Sequence, residues 1–472
     1  MEEENRCKNV VDSVRNLFFV DVNKISNFFK SLSKGNVTAE TNNKRKVMKI
    51  KSESHQDSFW MLKMSITFFK LIGLATLSRH SVITREKKTP FTFQHSKFGI
   101  IYNVALSILV LASNYLSVPF RLTVEYANKS NLTISIEIVQ AILGSLVTCA
   151  ILFSYCINQK LLVRIANQLV DIEHEMDRLY RLYRPLRRQR TFCALINLCI
   201  LKICLLILLV ITDFLAFHTS PVSWLSDIMP TFHVGWLLIQ YFMLATIVHA
   251  DFVDVNQAIQ SLTRPGTPDL RPQSLSETRR VVISNSIVHQ LLPLRDMHCH
   301  LCEISEDISD FYSLPVLFGI AFLFLTLIFN GYYLLSPLLI SSQTLEYEVL
   351  SNTIIWLIFL IYPISLLANR ITKIVNEVGS SVGKTGNVIH GLLSCLISKE
   401  TKSEVKHFSL QLLHRKVQFT ANGYFALDNN FLHSLVGTVA TYLVILVQFQ
   451  MGSSCSSRPQ CNCTRQDLLR AK

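Results

Sequence analysis

The sequence predicts an all-α membrane protein with seven transmembrane helices, and its composition and hydropathy pattern carry that prediction. Half of the 472 residues are hydrophobic and only 17% are charged, whereas an ordinary soluble protein carries about 25% charged residues. The apolar residues gather in runs of roughly 20, the length at which a helix crosses the hydrocarbon core of a bilayer. The seven runs are residues 98–118, 134–158, 191–217, 229–249, 315–341, 348–370 and 431–450.

The distribution of basic residues orients these spans. The segment before the first run holds 18 Lys and Arg residues and the loop 159–190 holds eight, whereas the loops 218–228 and 342–347 hold none. An excess of Lys and Arg marks cytoplasmic loops, so we expect the N-terminus inside the cell and the C-terminus outside, in the plasma membrane. The net charge of +13 therefore reflects topology and does not indicate a nucleic-acid partner.

Two glycosylation motifs agree with this orientation. Asn128 and Asn131 each begin an Asn-x-Ser/Thr motif in the loop between the first and second spans. The charge distribution places that loop outside the cell, where N-glycosylated segments lie. We therefore expect both asparagines to be glycosylation sites.

The spans divide the chain into regions with different roles. The run 64–77 is too short to cross a bilayer and carries Lys70, so it is predicted to be an amphipathic helix at the inner membrane surface. Leu161, Ile165 and Leu169 recur at helical spacing in a polar loop, which predicts that membrane helices extend into a packed cytoplasmic domain. The regions are a cytoplasmic N-terminal region (1–97), six membrane helices with cytoplasmic extensions (98–370), a cytoplasmic anchor (371–430), the seventh helix (431–450) and an extracellular tail (451–472).

The seventh run carries polar residues that a lipid-facing helix would not be expected to hold. One narrow face of a helix is predicted, because its positions recur at steps of three or four: Ser434, Gly437, Thr441, Val444 or Ile445, and Gln448. An amide without a hydrogen-bond partner in hydrocarbon costs several kcal/mol. Small and polar faces can pack helices together. Alternatively, copies of this helix around the axis of a closed oligomer would line an aqueous pore.

The same run contains a motif that resembles a known family. Residues 441–449, "TYLVILVQF", match the Thr-Tyr, five hydrophobics, Gln-Phe signature of insect gustatory receptors. The preceding stretch "GYFALDNNFL" (423–432) is similar to the Gly-x-Phe-x-Leu-Asp segment that leads into the last helix of that family. The matching positions in this stretch are Gly423, Phe425, Leu427 and Asp428.

The resemblance implies a taste receptor that acts as a ligand-gated, non-selective cation channel in sensory neurons. Members look like tetramers with the last helix of each subunit around a central pore, so a homotetramer or a hetero-oligomer with related receptors is expected. The positions carried over to the pore and gate are Thr441, Ile445, Gln448 and Phe449. This helix has no acidic ring, so cation selectivity is implied by the resemblance alone.

In the same family the ligand pocket lies within each subunit, among the outer halves of the second to sixth helices. Aromatic faces with a few amides and hydroxyls suit a small polar tastant; a sugar is favoured and a bitter compound is the alternative. Tyr and Trp near a membrane surface also form the interfacial belt. For the two tyrosines this interpretation is an alternative to a role in the pocket. The candidate ligand-binding residues are Asn330, Tyr332, Tyr333, Asn352, Thr353 and Trp356.

Several features bear on other functional classes. The sequence shows no catalytic constellation, and "HCHLC" (298–302) lacks the second ligand pair of a zinc site, so we expect no enzyme activity, cofactor or metal. A G-protein-coupled receptor would have its N-terminus outside the cell, which is opposite to the orientation predicted here. A transporter would show internal repeats with helices broken by Gly or Pro at matching positions, and the sequence shows none. Lys202 lies inside the third span, and an intramembrane charge marks function by default. A buried structural pair is favoured for it, although the sequence reveals no partner.

Overall fold

Helices make up most of the chain in the computed structural model, which describes residues 65–80, 92–123, 131–180, 185–217, 221–261, 277–339, 347–393, 399–414 and 417–456. The helices are α1 (Lys97–Thr123), α2 (Asn131–Ile157), α3 (Gln159–Tyr180), α4 (Pro185–Phe217), α5 (Pro221–Ser261), α6 (Glu277–Leu339), α7 (Tyr347–Leu393), α8 (Lys399–His414) and α9 (Asn429–Ser456). Asn128, most of the region 1–97, most of the tail 451–472 and the side chains of Asn131 and Phe449 lie outside the described residues.

Seven helices within the described ranges are long and apolar enough to cross a membrane. They are α1, α2, α4, α5, α6, α7 and α9, and each one matches one of the seven predicted runs. The seven-transmembrane, all-α fold class is therefore confirmed. The side of the membrane on which each terminus lies, and the tetramer, remain predictions.

Several helices continue well past the length that a membrane needs. Helix α6 has 63 residues, and at 1.5 Å per residue a helix of this size is about 95 Å long, roughly three times the hydrocarbon thickness. Helix α3 packs against the extension of α6, and helix α8 packs against the extensions of α6 and α7. An Arg164 guanidinium nitrogen, on α3, lies 3.8 Å from a carboxylate oxygen of Asp307 on α6. These elements form a helical domain at one end of the membrane bundle.

Helix α5 is the centre of the bundle. In the most apolar stretch of α5, 78% of the residues are buried within the protein. In the corresponding stretches of α1 and α4 the buried share is 17%. Helix α5 contacts α7, α6, α1 and α2. The apolar surfaces of α1 and α4 therefore face outward, toward lipid, whereas α5 is surrounded by protein.

The helix predicted at 64–77 ends earlier than expected, and its position at the inner membrane surface remains a prediction. The helix ends at Leu71, and Gly73 follows with a φ of +81°. The amide of Leu74 donates to the carbonyl of Phe69 (2.8 Å) and the amide of Gly73 to that of Lys70 (3.2 Å), which is the Schellman arrangement that stops a helix. The following residues enter the bundle, where Leu74 is fully buried.

Polar side chains compensate the non-helical backbone of this inserted segment. A backbone carbonyl buried in a membrane protein needs a donor, and here the donors come from α1, α3 and α5. After the inserted segment, strand β1 (Leu77–His80) pairs antiparallel with β2 (Thr92–His95). The donor pairs are Tyr102 Oη to Leu71 O (2.6 Å), Asn103 Nδ2 to Gly73 O (2.9 Å), Gln240 Nε2 to Leu74 O (2.8 Å) and Gln159 Nε2 to Thr76 O.

A tight hairpin leads into α9. Strand β3 (Thr420–Ala421) pairs antiparallel with β4 (Phe425–Ala426). The turn between them places Asn422 and Gly423 at φ values of 51° and 75°, the left-handed region that glycine and asparagine tolerate best. The Gly-x-Phe-x-Leu-Asp segment therefore encodes a turn, a strand and the beginning of the last helix.

Candidate functional site

Helix α9 packs against its own subunit along one face. The ring of Tyr442 meets Phe324 of α6 edge-on, with 5.9 Å between centroids. Leu435 is 8% exposed, and Leu443 lies against Gly331 of α6. These residues share one side of the helix, so α9 has a fixed rotation relative to α6.

The opposite side of α9 carries the predicted pore residues and is uncovered. Thr441, Ile445 and Gln448 are exposed, Ile445 to 39%. A Cβ added at Gly437 would meet nothing within 4 Å. The hydroxyl of Thr441 donates to the carbonyl of Gly437 (3.0 Å), so it is satisfied within the helix. The structure thus brings the polar positions onto one free face that points away from the subunit.

The N-terminus of α9 is fixed by capping and by a contact with α7. A carboxylate oxygen of Asp428 accepts a hydrogen bond from the amide of Phe431 (3.0 Å), which is the role of an N-cap residue. The rings of Phe425 and Phe431 stack with 4.6 Å between centroids. The amide of Asn429 donates to the hydroxyl of Thr372 on α7 (3.0 Å). The start of α9 therefore follows the position of α7.

Among the candidate ligand residues on α6, Tyr333 contacts α2. Tyr332 is buried, and its ring lies 6.0 Å from that of Tyr333. The hydroxyl of Tyr333 donates to a carboxylate oxygen of Glu137 on α2 (3.4 Å). The amide of Asn330 donates to the carbonyl of Thr326 one turn earlier (2.8 Å). Of these polar groups, the Asn330 amide and the Tyr333 hydroxyl already have partners within the subunit.

The candidate ligand residues on α7 are buried, and Asn352 among them contacts α4. The hydroxyl of Thr212 on α4 lies 3.0 Å from the amide oxygen of Asn352 and 3.0 Å from the carbonyl of Leu208 in its own helix, so its one proton is shared between them. The hydroxyl of Thr353 donates to the carbonyl of Val349 (2.9 Å). Trp356 is 9% exposed, and its ring meets that of Phe359 edge-on at 6.3 Å. Trp356 therefore sits inside the bundle and not at its surface.

Sequence reasoning missed the partners that join these candidates to neighbouring helices. Glu137 is an acidic residue at the beginning of the second span, and an ionisable group at that depth was the available signal. Thr212 gives no such signal, because a threonine hydroxyl is commonly satisfied by the carbonyl of its own helix. The contact between Thr212 and Asn352 depends on the rotation of α4 relative to α7, which the sequence does not reveal.

Lys202 also finds its partner across helices. The side chain is 1% exposed, and Nζ donates to the backbone carbonyl of Phe359 on α7 at 2.8 Å. The same nitrogen lies 3.1 Å from the centroid of the Phe359 ring. The sequence suggested a buried pair for this lysine; its acceptor is a carbonyl and an aromatic face.

The geometry defines a class: a multi-pass helical membrane protein whose last helix leaves its polar face uncovered and whose bundle buries aromatic and amide groups. A profile of the 7tm Chemosensory receptor family matches residues 62–453. The chain belongs to that family, within the insect gustatory receptor group that the 441–449 motif indicated. The family consists of receptors and not enzymes, and it implies a multi-pass protein of the sensory-neuron plasma membrane.

Curated relatives from Drosophila melanogaster carry gustatory receptor names. The chain is 32% identical to gustatory receptor 28b over 161 residues, which is 34% of this chain and 34% of that protein. It is 24% identical to gustatory receptor 28a over 256 residues, 49% of this chain and 57% of that protein. A gustatory receptor for bitter taste, 66a, is 26% identical over 203 residues, 42% of this chain and 37% of that protein. The chain thus spans between about a third and somewhat over half of these relatives.

A solved structure has the same fold. The insect olfactory receptor OR5 from Machilis hrabei matches with a TM-score of 0.55 and 14% sequence identity, covering 82% of this chain and 98% of that one. A second structure of that receptor, in complex with eugenol, matches with a TM-score of 0.51 and 15% identity, covering 83% of this chain and 100% of that one. At this identity the likeness concerns the fold.

Proposed function

We propose that the protein is a ligand-gated cation channel, opened by a small tastant, in which four copies of α9 surround a central pore. The observation that carries this proposal is the uncovered polar face of α9. Only 6% of the residues in the most apolar window of this helix are buried within the subunit. Thr441, Ile445 and Gln448 lie on the free side, and Phe449 is the next residue along the helix.

The energetics of the free face favour a water-filled axis over lipid. An unpaired amide such as that of Gln448 costs several kcal/mol in hydrocarbon. In a closed ring of identical subunits the same amide would face water, and the large apolar Ile445 would form a constriction that closes by dewetting. A hetero-oligomer with related receptors would keep this geometry, provided that the partner supplies an equivalent helix.

The candidate pocket residues support an aromatic or apolar tastant better than a sugar. A sugar needs several free donors and acceptors, because each hydroxyl that it buries without a partner weakens binding. The amide of Asn330 and the hydroxyl of Thr353 already donate to their own helices, and the amide oxygen of Asn352 lies 3.0 Å from the hydroxyl of Thr212. These contacts engage part of the polar surface of the candidate residues, and the buried rings of Tyr332 and Trp356 supply the largest faces that remain. We therefore propose a small aromatic ligand of the bitter type, with a sugar as the second candidate.

Cysteine accessibility tests the pore. The chain is expressed alone in cells that lack related receptors, agonists are found by calcium imaging of sugars and bitter compounds, and currents are recorded. In Thr441→Cys and Ile445→Cys, a charged, water-soluble thiol reagent applied outside should block the current well beyond its effect on the wild type. Val436→Cys is the matched control, because Val436 is 60% exposed but lies on another side of α9.

Two results would overturn the proposal. Equal block of Val436→Cys and Ile445→Cys would mean that the polar face has no privileged access to water. Absence of agonist-evoked current from a receptor shown at the cell surface, alone and with related receptors, would remove channel function itself. Block confined to the polar face, together with a bitter or a sugar agonist, would support the channel and decide the ligand class.

A further inference from the structure

Pro363 leaves one backbone carbonyl in the middle of α7 without its helical donor. In a regular helix the amide of residue 363 would donate to the carbonyl of Phe359, four positions earlier. Proline has no N–H, so that bond cannot form and the helix is free to bend there. Phe359 is fully buried in the bundle, and its carbonyl has no access to water. A donor from another helix is therefore needed.

Lys202 of α4 supplies that donor. Its Nζ lies 2.8 Å from the carbonyl oxygen of Phe359 and 3.1 Å from the centroid of the same residue's ring. Within the part of the chain that the structure describes, no carboxylate oxygen lies within 4 Å of this nitrogen. The buried amino group is thus matched to the one carbonyl that the proline releases.

Gly235 of α5 makes room for this contact. A Cβ at Gly235 would lie 3.0 Å from Lys202 Nζ and 3.8 Å from Cγ of Pro363. A lysine, a glycine and a proline from three helices thus meet at one point. The proline removes the helical donor, the lysine replaces it, and the glycine leaves the space that the lysine needs. This convergence indicates a built junction between α4, α5 and α7.

The junction lies between the candidate pocket and the start of the candidate pore helix. One turn outward along α7, the ring of Trp356 meets that of Phe359 at 6.3 Å. Further along α7 in the other direction, the hydroxyl of Thr372 accepts from the amide of Asn429, the first residue of α9. A change in the bend of α7 at Pro363 would therefore move pocket residues relative to the base of α9.

We propose that Lys202 is a positioning residue that stabilises one bend of α7 by replacing the hydrogen bond that Pro363 removes. Ligand contacts on the outer segment of α7 change how well this bond is made, and the inner segment transmits the change to α9. The coupling to gating rests on the proposed channel function, whereas the bond itself does not. Coupling between distant sites requires an element that has two arrangements, and each site must favour one arrangement over the other.

A double-mutant cycle separates this role from ordinary packing. Lys202→Met keeps the length of the side chain and removes the donor, and Pro363→Ala restores a backbone N–H for the Phe359 carbonyl. Leu201→Met, at a position 46% exposed on the outer side of the same helix, is the control for the substitution. The first measurement is thermal stability of the detergent-solubilised receptor, which requires no agonist. The second is the agonist concentration for half-maximal current, compared at equal surface expression.

Lys202→Met should lower the melting temperature and shift the half-maximal agonist concentration by about fivefold or more, the lower range of known coupling between sites. Both effects should largely vanish when Pro363→Ala is also present. If Lys202→Met fails to reach the surface, recovery of expression by Pro363→Ala supports the proposal equally. The same loss in both backgrounds, or no recovery, overturns it. If the thermal cycle shows coupling but no variant or wild type conducts, the proposed function fails while the bond stands.

Discussion

Leu443 of α9 packs directly onto Gly331 of α6, in the space that a side chain at residue 331 would occupy. A Cβ there would lie 2.8 Å from Cδ1 of Leu443. Gly331 stands between Asn330 and Tyr332, two of the candidate ligand residues. The helix that carries the predicted pore face and the helix that carries part of the predicted pocket are therefore in contact where the pocket residues lie.

A larger residue at Gly331 should change gating. We expect Gly331→Val to push Leu443 outward and to alter basal current or agonist sensitivity at equal surface expression, because α9 must shift or the leucine must change rotamer. Gly379→Val is the matched control, since a Cβ at this helical glycine on α7 meets nothing within 4 Å. Unchanged currents in both variants would show that this contact does not position α9.

Removing the aromatic ring of Trp356 should weaken the agonist response. We expect Trp356→Ala to raise the half-maximal agonist concentration by about tenfold, the upper range for loss of one aromatic contact. Trp356→Phe should recover most of the response, because it restores a ring beside Phe359. Ile358→Ala, on the exposed side of α7, should respond like the wild type. A normal response of Trp356→Ala at normal surface level would exclude Trp356 from the pocket.

The N-cap of α9 should contribute measurable stability. Asp428→Ala removes the acceptor for the amide of Phe431, and loss of such a cap costs about 1 kcal/mol. Asp428→Asn keeps an acceptor and should stay near the wild type. Thermal unfolding of the solubilised receptor, followed by size-exclusion chromatography, checks the difference. Equal melting temperatures for the two variants would contradict the capping role.

The amide of Gln240 should be essential for the inserted segment after Gly73. Its nitrogen donates to the carbonyl of Leu74, and its oxygen accepts from the hydroxyl of Tyr155. Gln240→Leu leaves both groups unpaired, and each buried unpaired group costs about 1–3 kcal/mol. We expect loss of surface expression or a clear fall in melting temperature. Thr246→Val on the same helix is the control, because the Thr246 hydroxyl donates only to the Phe242 carbonyl within α5.

The predicted orientation can be tested without any ligand. An epitope tag at the C-terminus should be reached by antibody on intact cells, and one at the N-terminus only after permeabilisation, because Lys and Arg concentrate on the N-terminal side. Replacement of Asn128 and Asn131 by Gln should increase the gel mobility of the mature protein if both carry glycans. Surface labelling of the N-terminal tag would reverse the assignment of every loop.

Local patterns in the sequence predicted much of the candidate site. The step of three or four residues from Thr441 to Gln448 is enough to place them on one face of any helix. The structure shows that this face is free, which the repeat alone could not show. The end of the helix predicted at 64–77 was missed for a related reason: its apolar content predicted a helix throughout, whereas Gly73 stops the helix after Leu71 and the residues from Leu74 to Leu77 are buried.

The sequence by itself determined the seven spans, the polar face of the last helix and the motif that leads into it, because these follow from composition and from repeats within a few residues. Only the tertiary structure decided which groups meet. Lys202 and Phe359 are 157 positions apart, and Gln240 and Leu74 are 166 apart. Such pairs depend on the rotation and depth of whole helices, which packing of every neighbouring side chain sets together. No local pattern at Lys202 specifies that the carbonyl released by a distant proline lies within its reach.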